Sequence, residues 1–303
     1  MKSTMQRRVM VYLRHRRALG YRLENEARLL GDFARYADRS GHRGPVTRKL
    51  AMRWATLVRG KQPPYRAKRL AVVRVFASRQ AALEPATEIP GRRVLGPSYR
   101  RQSPHLFTAR QLRQVLKRAS RLSGRLRPRT YGTFLRLLAC TGMRISEVLD
   151  LTVRDVVLQQ GVLTIRGSKG QHSRALPLHR TALPPLRRYA WQREREFPLA
   201  TQFFISDRGG ALTYSAVSHI FPGLVQGITP SNSRLRPRLH DLRHTFACEV
   251  IWRWQRTRRG AVGRLAILSR YLGHTHFRET YWYLTAVPRL LEQAADRFAP
   301  LTL

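Results

Sequence analysis

Residues 141–147 read Thr-Gly-Met-Arg-Ile-Ser-Glu, and residues 240–244 read His-Asp-Leu-Arg-His. A third segment, Leu-Gly-His, ends at His274, and Tyr283 follows nine residues later. In the second segment the histidine and the arginine are three residues apart, a spacing that places both on one face of a helix. These segments predict a mainly helical region that brings two arginines, two histidines and a tyrosine to one site.

The residue types in these segments suit the attack of a side chain on a phosphodiester. Such an attack requires fixed cationic donors at the non-bridging oxygens, where charge develops in the transition state. Arg144 and Arg243 suit that role, because a guanidinium is always charged and holds two oxygens in a planar fork. Tyr283 is the candidate nucleophile, since its phenol, with a pKa of about 10, can form a phosphotyrosine ester.

The departing nucleotide oxygen needs a proton, which arginine cannot supply and lysine can. Lysine is rare in this basic chain, and Lys169 is the sole lysine after Lys117. It lies in Gly-Ser-Lys-Gly between the strand-like runs 162–165 and 174–178, a pattern typical of a β-hairpin turn. We therefore predict that Lys169 is the general acid; the alternative is a solvated turn lysine.

The five elements together resemble the tyrosine recombinase (phage integrase) family of site-specific DNA recombinases. The resemblance covers residues 107 to about 285. One departure is the stretch from Arg243 to His274, which is several residues longer than in the family and includes the basic segment 253–260. The matching residues are Arg144 and Glu147 of the Arg box, Lys169 of the hairpin, His240 and Arg243 of the His-x-x-Arg box, His274 and Tyr283.

The resemblance implies a fold and an activity. The expected fold is mainly α (α+β), with a helical core-binding domain and a mixed helical catalytic domain that carries a small antiparallel β-sheet. The expected enzyme cleaves and rejoins DNA strands through a 3′-phosphotyrosine. Because bond energy is retained in that ester, neither a metal nor ATP is required. The implied partners are double-stranded DNA recombination sites and a homotetramer on synapsed DNA, with or without accessory recombinases or DNA-bending proteins.

Roles for the remaining site residues follow from the same resemblance. Glu147 is expected to orient Arg144 or the hairpin, His274 to donate a hydrogen bond to the phosphate, and His240 to help take the tyrosine proton. His240 and His244 have the spacing of zinc ligands on a helix, but no third ligand is evident, so no metal site is predicted. Tyr271 and Tyr281 also lie near the motifs, and both are predicted to be packing residues.

The chain is predicted to have two domains. Apolar periodicity indicates helices over 24–37, 46–58 and 65–82 within a four-helix core-binding domain, residues 1–88. Proline, glycine and arginine dominate residues 89–105, which is typical of a linker. The catalytic domain is residues 106–303. Its first helix should begin with a capping box formed by Thr108 and Gln111, and its tail after Tyr283 is amphipathic.

Composition supports a nucleic-acid partner. The 303 residues carry a net charge of +41, which indicates a polyanion rather than an acidic small molecule. Two cysteines cannot form a disulfide framework, and Cys140 is predicted to be a core residue. Since no stretch approaches a membrane span of about 20 apolar residues and no signal core is present, a cytoplasmic, nucleoid-associated protein is expected.

The sequence leaves the biological programme open between dimer resolution and the integration, excision or transposition of a mobile element. Two other functions compete with recombination. A type IB topoisomerase shares the chemistry but relaxes supercoils without synapsis. A catalytically silent DNA-binding accessory protein would not need Arg144, Lys169, Arg243 and Tyr283.

Overall fold

A computed structural model describes residues 4–21, 23–58, 63–98, 103–167, 173–229, 236–256 and 261–285. The chain divides into two compact units, Met1–Gln102 and Ser103–Leu303. Lys169 and the amphipathic tail 286–303, both discussed above, lie outside the described residues. Each unit has a hydrophobic core of its own.

The first unit contains four described helices, as the sequence predicted. They are α1 (Met5–Ala18), α2 (Glu24–Arg39), α3 (Arg48–Thr56) and α4 (Pro63–Gln80). Thr4 and Thr47 cap α1 and α3, since each hydroxyl accepts a hydrogen bond from a backbone N–H of the first turn. The core between the helices contains edge-to-face aromatic pairs, Tyr12 with Phe76 and Phe33 with Trp54.

The segment that follows α4 folds with these helices. The Glu88 backbone N–H donates to the Val46 carbonyl over 2.8 Å, and the Glu88 carboxylate accepts from the Arg48 N–H over 2.7 Å. Leu95 packs against the core of the same unit. The compact part of the first unit thus continues past residue 88.

The second unit is mainly helical with one small antiparallel sheet, which confirms the predicted fold class. The sheet has the order β1-β2-β3, with Leu163 opposite both Val156 and Leu176. The predicted capping box is present, because Thr108 and Gln111 each accept from the other's backbone N–H. The elements are α5 (Ala109–Ala119), α6 (Arg127–Thr141), α7 (Ile145–Leu149), β1 (Val156–Val157), β2 (Val162–Ile165), β3 (Arg174–Pro177), α8 (Leu183–Glu196), α9 (Tyr214–Val225), α10 (Leu239–Arg256), α11 (Ala261–Leu272) and α12 (Arg278–Thr285).

Helix α10 organises the part of this unit that matters for function. It packs against α6, α11 and α12. Apolar residues of α10, α11 and α12, including Ile251, Leu268 and Tyr283, form one buried cluster. The first part of the long stretch that departs from the family pattern lies on α10, which is 18 residues long. The three helices bring residues from the second and third sequence segments to one place.

The prediction that Cys140 is a core residue is wrong. Its side chain is exposed, whereas Cys248 is buried. The helical repeat explains the difference, because Cys140 follows the exposed Arg136 by four residues and so shares its outward face, while Leu137 and Leu138 point inward. Within the described part of the chain, none of the helices has the length and apolar character needed to cross a membrane.

Candidate active site

Arg144 lies at the tight turn between α6 and α7. Helix α6 ends at Thr141, and the next residue is Gly142, whose φ of 62° favours glycine and whose added Cβ would overlap the ring of Phe246. Arg144 then precedes the first residue of α7. Its Nη1 donates to Glu147 Oε1 over 3.0 Å, and its Nη2 donates to the Gly273 carbonyl. These contacts hold the guanidinium between α7 and the end of α11.

Arg243 lies on α10 and is almost fully buried, with 3% of its surface exposed. Its Nη1 donates to the Gly142 carbonyl over 2.7 Å, and its Nη2 donates to the Leu272 carbonyl over 2.9 Å. Its positive charge also acts on the nearby phenol of Tyr283. Neutral carbonyls orient this arginine without cancelling its charge, so the charge remains for an anion.

Tyr283, on α12, lies inside the site with 2% of its surface exposed. Its ring stacks on the ring of His274 at a centroid distance of 5.9 Å, and it meets the ring of His244 at 5.4 Å. Burial raises the pKa of the Tyr283 phenol, and Arg243 opposes that rise. The phenol is therefore protonated near neutral pH and must lose its proton to attack a phosphate.

Two histidines beside the tyrosine are held neutral. Burial, with Arg243 and Arg144 nearby, lowers the pKa of His274 to about 3. Burial also lowers the pKa of His244 to about 3. The Nδ1 atom of His274 bonds to Thr280 Oγ1 over 2.7 Å, which leaves Nε2 as the ring nitrogen that can face a phosphate. Such a histidine can donate a hydrogen bond but adds no charge.

His240 occupies a different position from the other site residues. It is exposed, and its ring contacts His244 edge to face at 4.6 Å. His244 in turn contacts the Tyr283 ring at 5.4 Å. The sequence analysis considered His244 only as a zinc ligand. Its position four residues after His240 was the sequence signal for the contact between the two rings. Within the described ranges, no group of three or more His, Cys, Asp or Glu side chains is arranged to hold a metal ion.

Glu147 is the acidic residue of the site. Burial alone would raise the pKa of its carboxyl, but hydrogen bonds from Arg174 and Arg144 outweigh burial and lower it. Arg174, the first residue of β3, was not singled out from the sequence. The sequence did contain a signal for this role, because Arg174 begins the strand that follows the hairpin lysine.

The structure thus brings five of the seven predicted site residues together, places His240 at their edge, and leaves Lys169 outside the described residues. The competing tyrosines differ from each other. Tyr271 is partly buried and stacks on Phe246 at 5.8 Å, as a packing residue would. Tyr281 is 46% exposed, and its ring packs edge to face against Phe277 at 5.0 Å. The five residues that converge are Arg144, Glu147, Arg243, His274 and Tyr283.

Comparison with known proteins agrees with this geometry. A model of the phage integrase family matches residues 105–288. The chain is 35% identical to a putative integrase/recombinase, y4rB, of Sinorhizobium fredii over 97% of each protein. It is 29% identical to tyrosine recombinase XerC of Proteus mirabilis over 74% of this chain and 68% of that one. Its fold resembles the Tn1549 transposon integrase in complex with transposon right end DNA, with a TM-score of 0.68, 17% identity and coverage of 98% and 100%. The chain therefore belongs to the phage integrase family and is a tyrosine site-specific recombinase, an enzyme that acts on DNA.

Proposed function

We propose that Tyr283 attacks a DNA phosphodiester, joins the 3′ phosphate to its phenol oxygen and releases the 5′ oxygen, and that a 5′ hydroxyl of another strand reverses the step. The observation that carries this proposal is the burial of Tyr283 with its ring stacked on His274, where the charge of Arg243 acts on its phenol. Nucleophile and charge stabilisation are then supplied by one and the same chain.

Arg243 and Arg144 hold the non-bridging oxygens in this mechanism. A guanidinium has five N–H donors. Arg243 directs two of them at the carbonyls of Gly142 and Leu272, and its remaining N–H groups serve the phosphate. The backbone carbonyls fix the direction of the fork before DNA arrives, which is the preorganisation that stabilises a developing charge.

Proton transfer completes the reaction. His274 donates a hydrogen bond from Nε2 to the phosphate, and Lys169 protonates the leaving 5′ oxygen. His240 accepts the tyrosine proton. Its exposed position suits the passage of that proton onward to solvent.

The helical first unit, which contains the core-binding domain of residues 1–88, binds the duplex together with the catalytic domain, residues 106–303. Exchange of all four strands between two duplexes needs four nucleophiles, and each chain supplies one Tyr283. We therefore propose a homotetramer on two synapsed DNA sites in the cytoplasm, on the nucleoid, assisted by accessory recombinases or DNA-bending proteins where a site requires them. Moving a mobile element is the proposed programme, with dimer resolution as its alternative.

Covalent trapping on genomic DNA tests the proposed function. The protein is incubated with sheared genomic DNA of its host, denatured, and the DNA that remains attached is sequenced. We expect a short common sequence with the break at one position in each strand, because a recombinase acts at a defined site. Breaks spread evenly over the genome would instead favour the topoisomerase alternative, and absence of any adduct would favour the silent accessory protein.

Binding should also depend steeply on salt. Each neutralised phosphate contributes about −0.9 to the slope of log K against log salt, so a two-domain clamp that neutralises on the order of ten phosphates gives a slope near −9. Fluorescence anisotropy measures this slope on the trapped sequence and on a scrambled duplex. The KCl concentration is raised from about 0.1 M, where the Debye length is about 10 Å, to about 0.4 M, where it is shorter. A slope that corresponds to two or three contacts would mean that one domain alone binds.

A further inference from the structure

Arg174 is linked to the site by three hydrogen bonds. Its Nη1 and Nη2 donate to Glu147 Oε1 and Oε2 over 3.1 and 2.9 Å, a fork-to-fork pair. Its Nε donates to the Tyr271 carbonyl over 3.0 Å. Arg174 thus joins β3 to α7 and to the last turn of α11.

Glu147 is shared evenly between two arginines. Oε1 accepts from Arg144 Nη1 as well as from Arg174, and Oε2 accepts from the Arg144 backbone N–H over 2.9 Å as well as from Arg174. Arg144 also donates to the Gly273 carbonyl, two residues after Tyr271. The bonds therefore close a ring that passes through Arg174, Glu147, Arg144 and the chain between Gly273 and Tyr271.

The two arginines of this ring are exposed to different degrees. The Arg174 side chain is 15% exposed and the Arg144 side chain 27% exposed, so Arg144 is the one that presents more of its surface to solvent. A single carboxylate paired with Arg144 alone would cancel the charge that a phosphate needs. With Arg174 as a second cation on Glu147, the trio keeps a net positive charge.

Gly273 shows how closely the ring is packed. Its φ of 68° favours glycine, and an added Cβ would lie 2.7 Å from Arg174 Nη1 and 3.2 Å from Arg144 Nη1. A side chain at this position would displace both guanidiniums. The glycine of the Leu-Gly-His segment thus makes room for the ring.

From this ring we propose that Arg174 is a positioning residue for strand cleavage: it offsets the charge of Glu147 and fixes the direction in which Arg144 presents its guanidinium to the scissile phosphate. The proposal rests on the proposed function. It goes beyond it by giving a role to a residue that touches neither the nucleophile nor, in this mechanism, the DNA.

Arg166 provides a matched control on the same hairpin. It follows β2, on the other side of the hairpin tip, and its Nε donates to Asp155 Oδ1 over 2.7 Å. Asp155 is buried and Glu147 is partly buried, but the other partner of Asp155 is Thr152 rather than an active-site arginine. Arg166→Ala therefore removes an ion pair from the hairpin and leaves the ring around Arg144 intact.

The experiment measures the single-turnover rate of covalent complex formation at saturating DNA. The probes are a duplex that carries the trapped sequence, and the same duplex with a methylphosphonate at the scissile position, which removes the phosphate charge. We expect Arg174→Ala to slow cleavage of the ordinary duplex on the order of 10²-fold, the usual effect of a misplaced catalytic group. Arg174→Lys, which keeps the charge and loses the fork, should be slowed less, and Arg166→Ala should match the wild type.

On the methylphosphonate duplex, the difference between Arg174→Ala and the wild type should shrink, as it should for Arg144→Ala, since less charge stabilisation is needed. DNA affinity should be unchanged. Thermal unfolding shows whether Arg174→Ala is folded. If it is not, the rates of Arg174→Lys on the two duplexes are compared with those of the wild type instead.

Three results would overturn the inference. The first is equal cleavage rates for Arg174→Ala and Arg166→Ala, and the second is a defect of Arg174→Ala that is the same size on both duplexes. The third is rescue of Arg174→Ala by sulfur at the 5′ bridging position, which would mean that Arg174 serves the proton donor. If the wild type itself forms no covalent complex, the proposed function fails and this inference fails with it.

Discussion

Replacing Tyr283 by phenylalanine should abolish strand cleavage and leave DNA binding nearly unchanged. The substitution removes the one oxygen that forms the bond to phosphorus. It keeps the ring that stacks on His274 and fills the core of α10, α11 and α12. Its structural effect should be small, because only the hydroxyl is lost from the buried ring. An interface with dozens of basic groups loses little affinity from one hydroxyl.

The measurement is a denaturing gel of protein and labelled duplex, with anisotropy for binding. Tyr281→Phe is the matched control, because Tyr281 lies two residues away on α12 and is 46% exposed. It should still cleave. A covalent adduct that persists in Tyr283→Phe would assign the nucleophile to another residue, and Tyr271→Phe and Tyr281→Phe would then identify it.

Lys169→Ala and Lys169→Arg should both slow cleavage of ordinary DNA by roughly 10²–10⁴-fold, the usual contribution of general acid catalysis. Alanine removes the proton donor, and arginine keeps the charge but does not donate at neutral pH. The two variants therefore separate proton donation from charge. Equal defects would indicate that the proton is what matters.

A substrate with sulfur in place of the bridging 5′ oxygen makes the test specific, because its leaving group needs no proton. Both Lys169 variants should recover on this substrate. Arg243→Ala, which loses charge stabilisation instead, should remain slow. If sulfur rescues neither lysine variant, Lys169 is a phosphate contact or a turn residue, and His240 becomes the next candidate for the acid.

Local features were the easiest to predict from sequence. The four helices of the first unit, the hairpin strands and the Thr108 capping box all depend on residues a few positions apart, through periodicity, turn residues and caps. The chemistry of the site could also be predicted, because the reactivity of an arginine, a histidine or a tyrosine is a property of the residue type. The resemblance to the family then indicated which arginines, histidines and tyrosine belong to the site, from the order of the segments along the chain.

Burial was harder to predict, because it depends on neighbours that are distant in the chain. Cys140 is in an apolar run yet faces outward, and Tyr281 is exposed although its neighbour on α12, Tyr283, is buried. Residues two positions apart on a helix, such as Tyr281 and Tyr283, lie on opposite faces. Which face is buried depends on the elements that pack against the helix. For α12 that partner is the pair of helices α10 and α11.

By itself, the sequence determined the residue types of the site, their order and the helical and hairpin elements that carry them, because propensity, capping and periodicity act over a few residues. Only the tertiary structure decided which groups share a hydrogen bond. Arg144 reaches Gly273 across 129 residues and Arg174 reaches Glu147 across 27. Such pairs form when whole helices and strands pack, and the low-dielectric interior then sets the charge of each group: histidine neutral, carboxylate ionised between two guanidiniums, and phenol protonated beside Arg243.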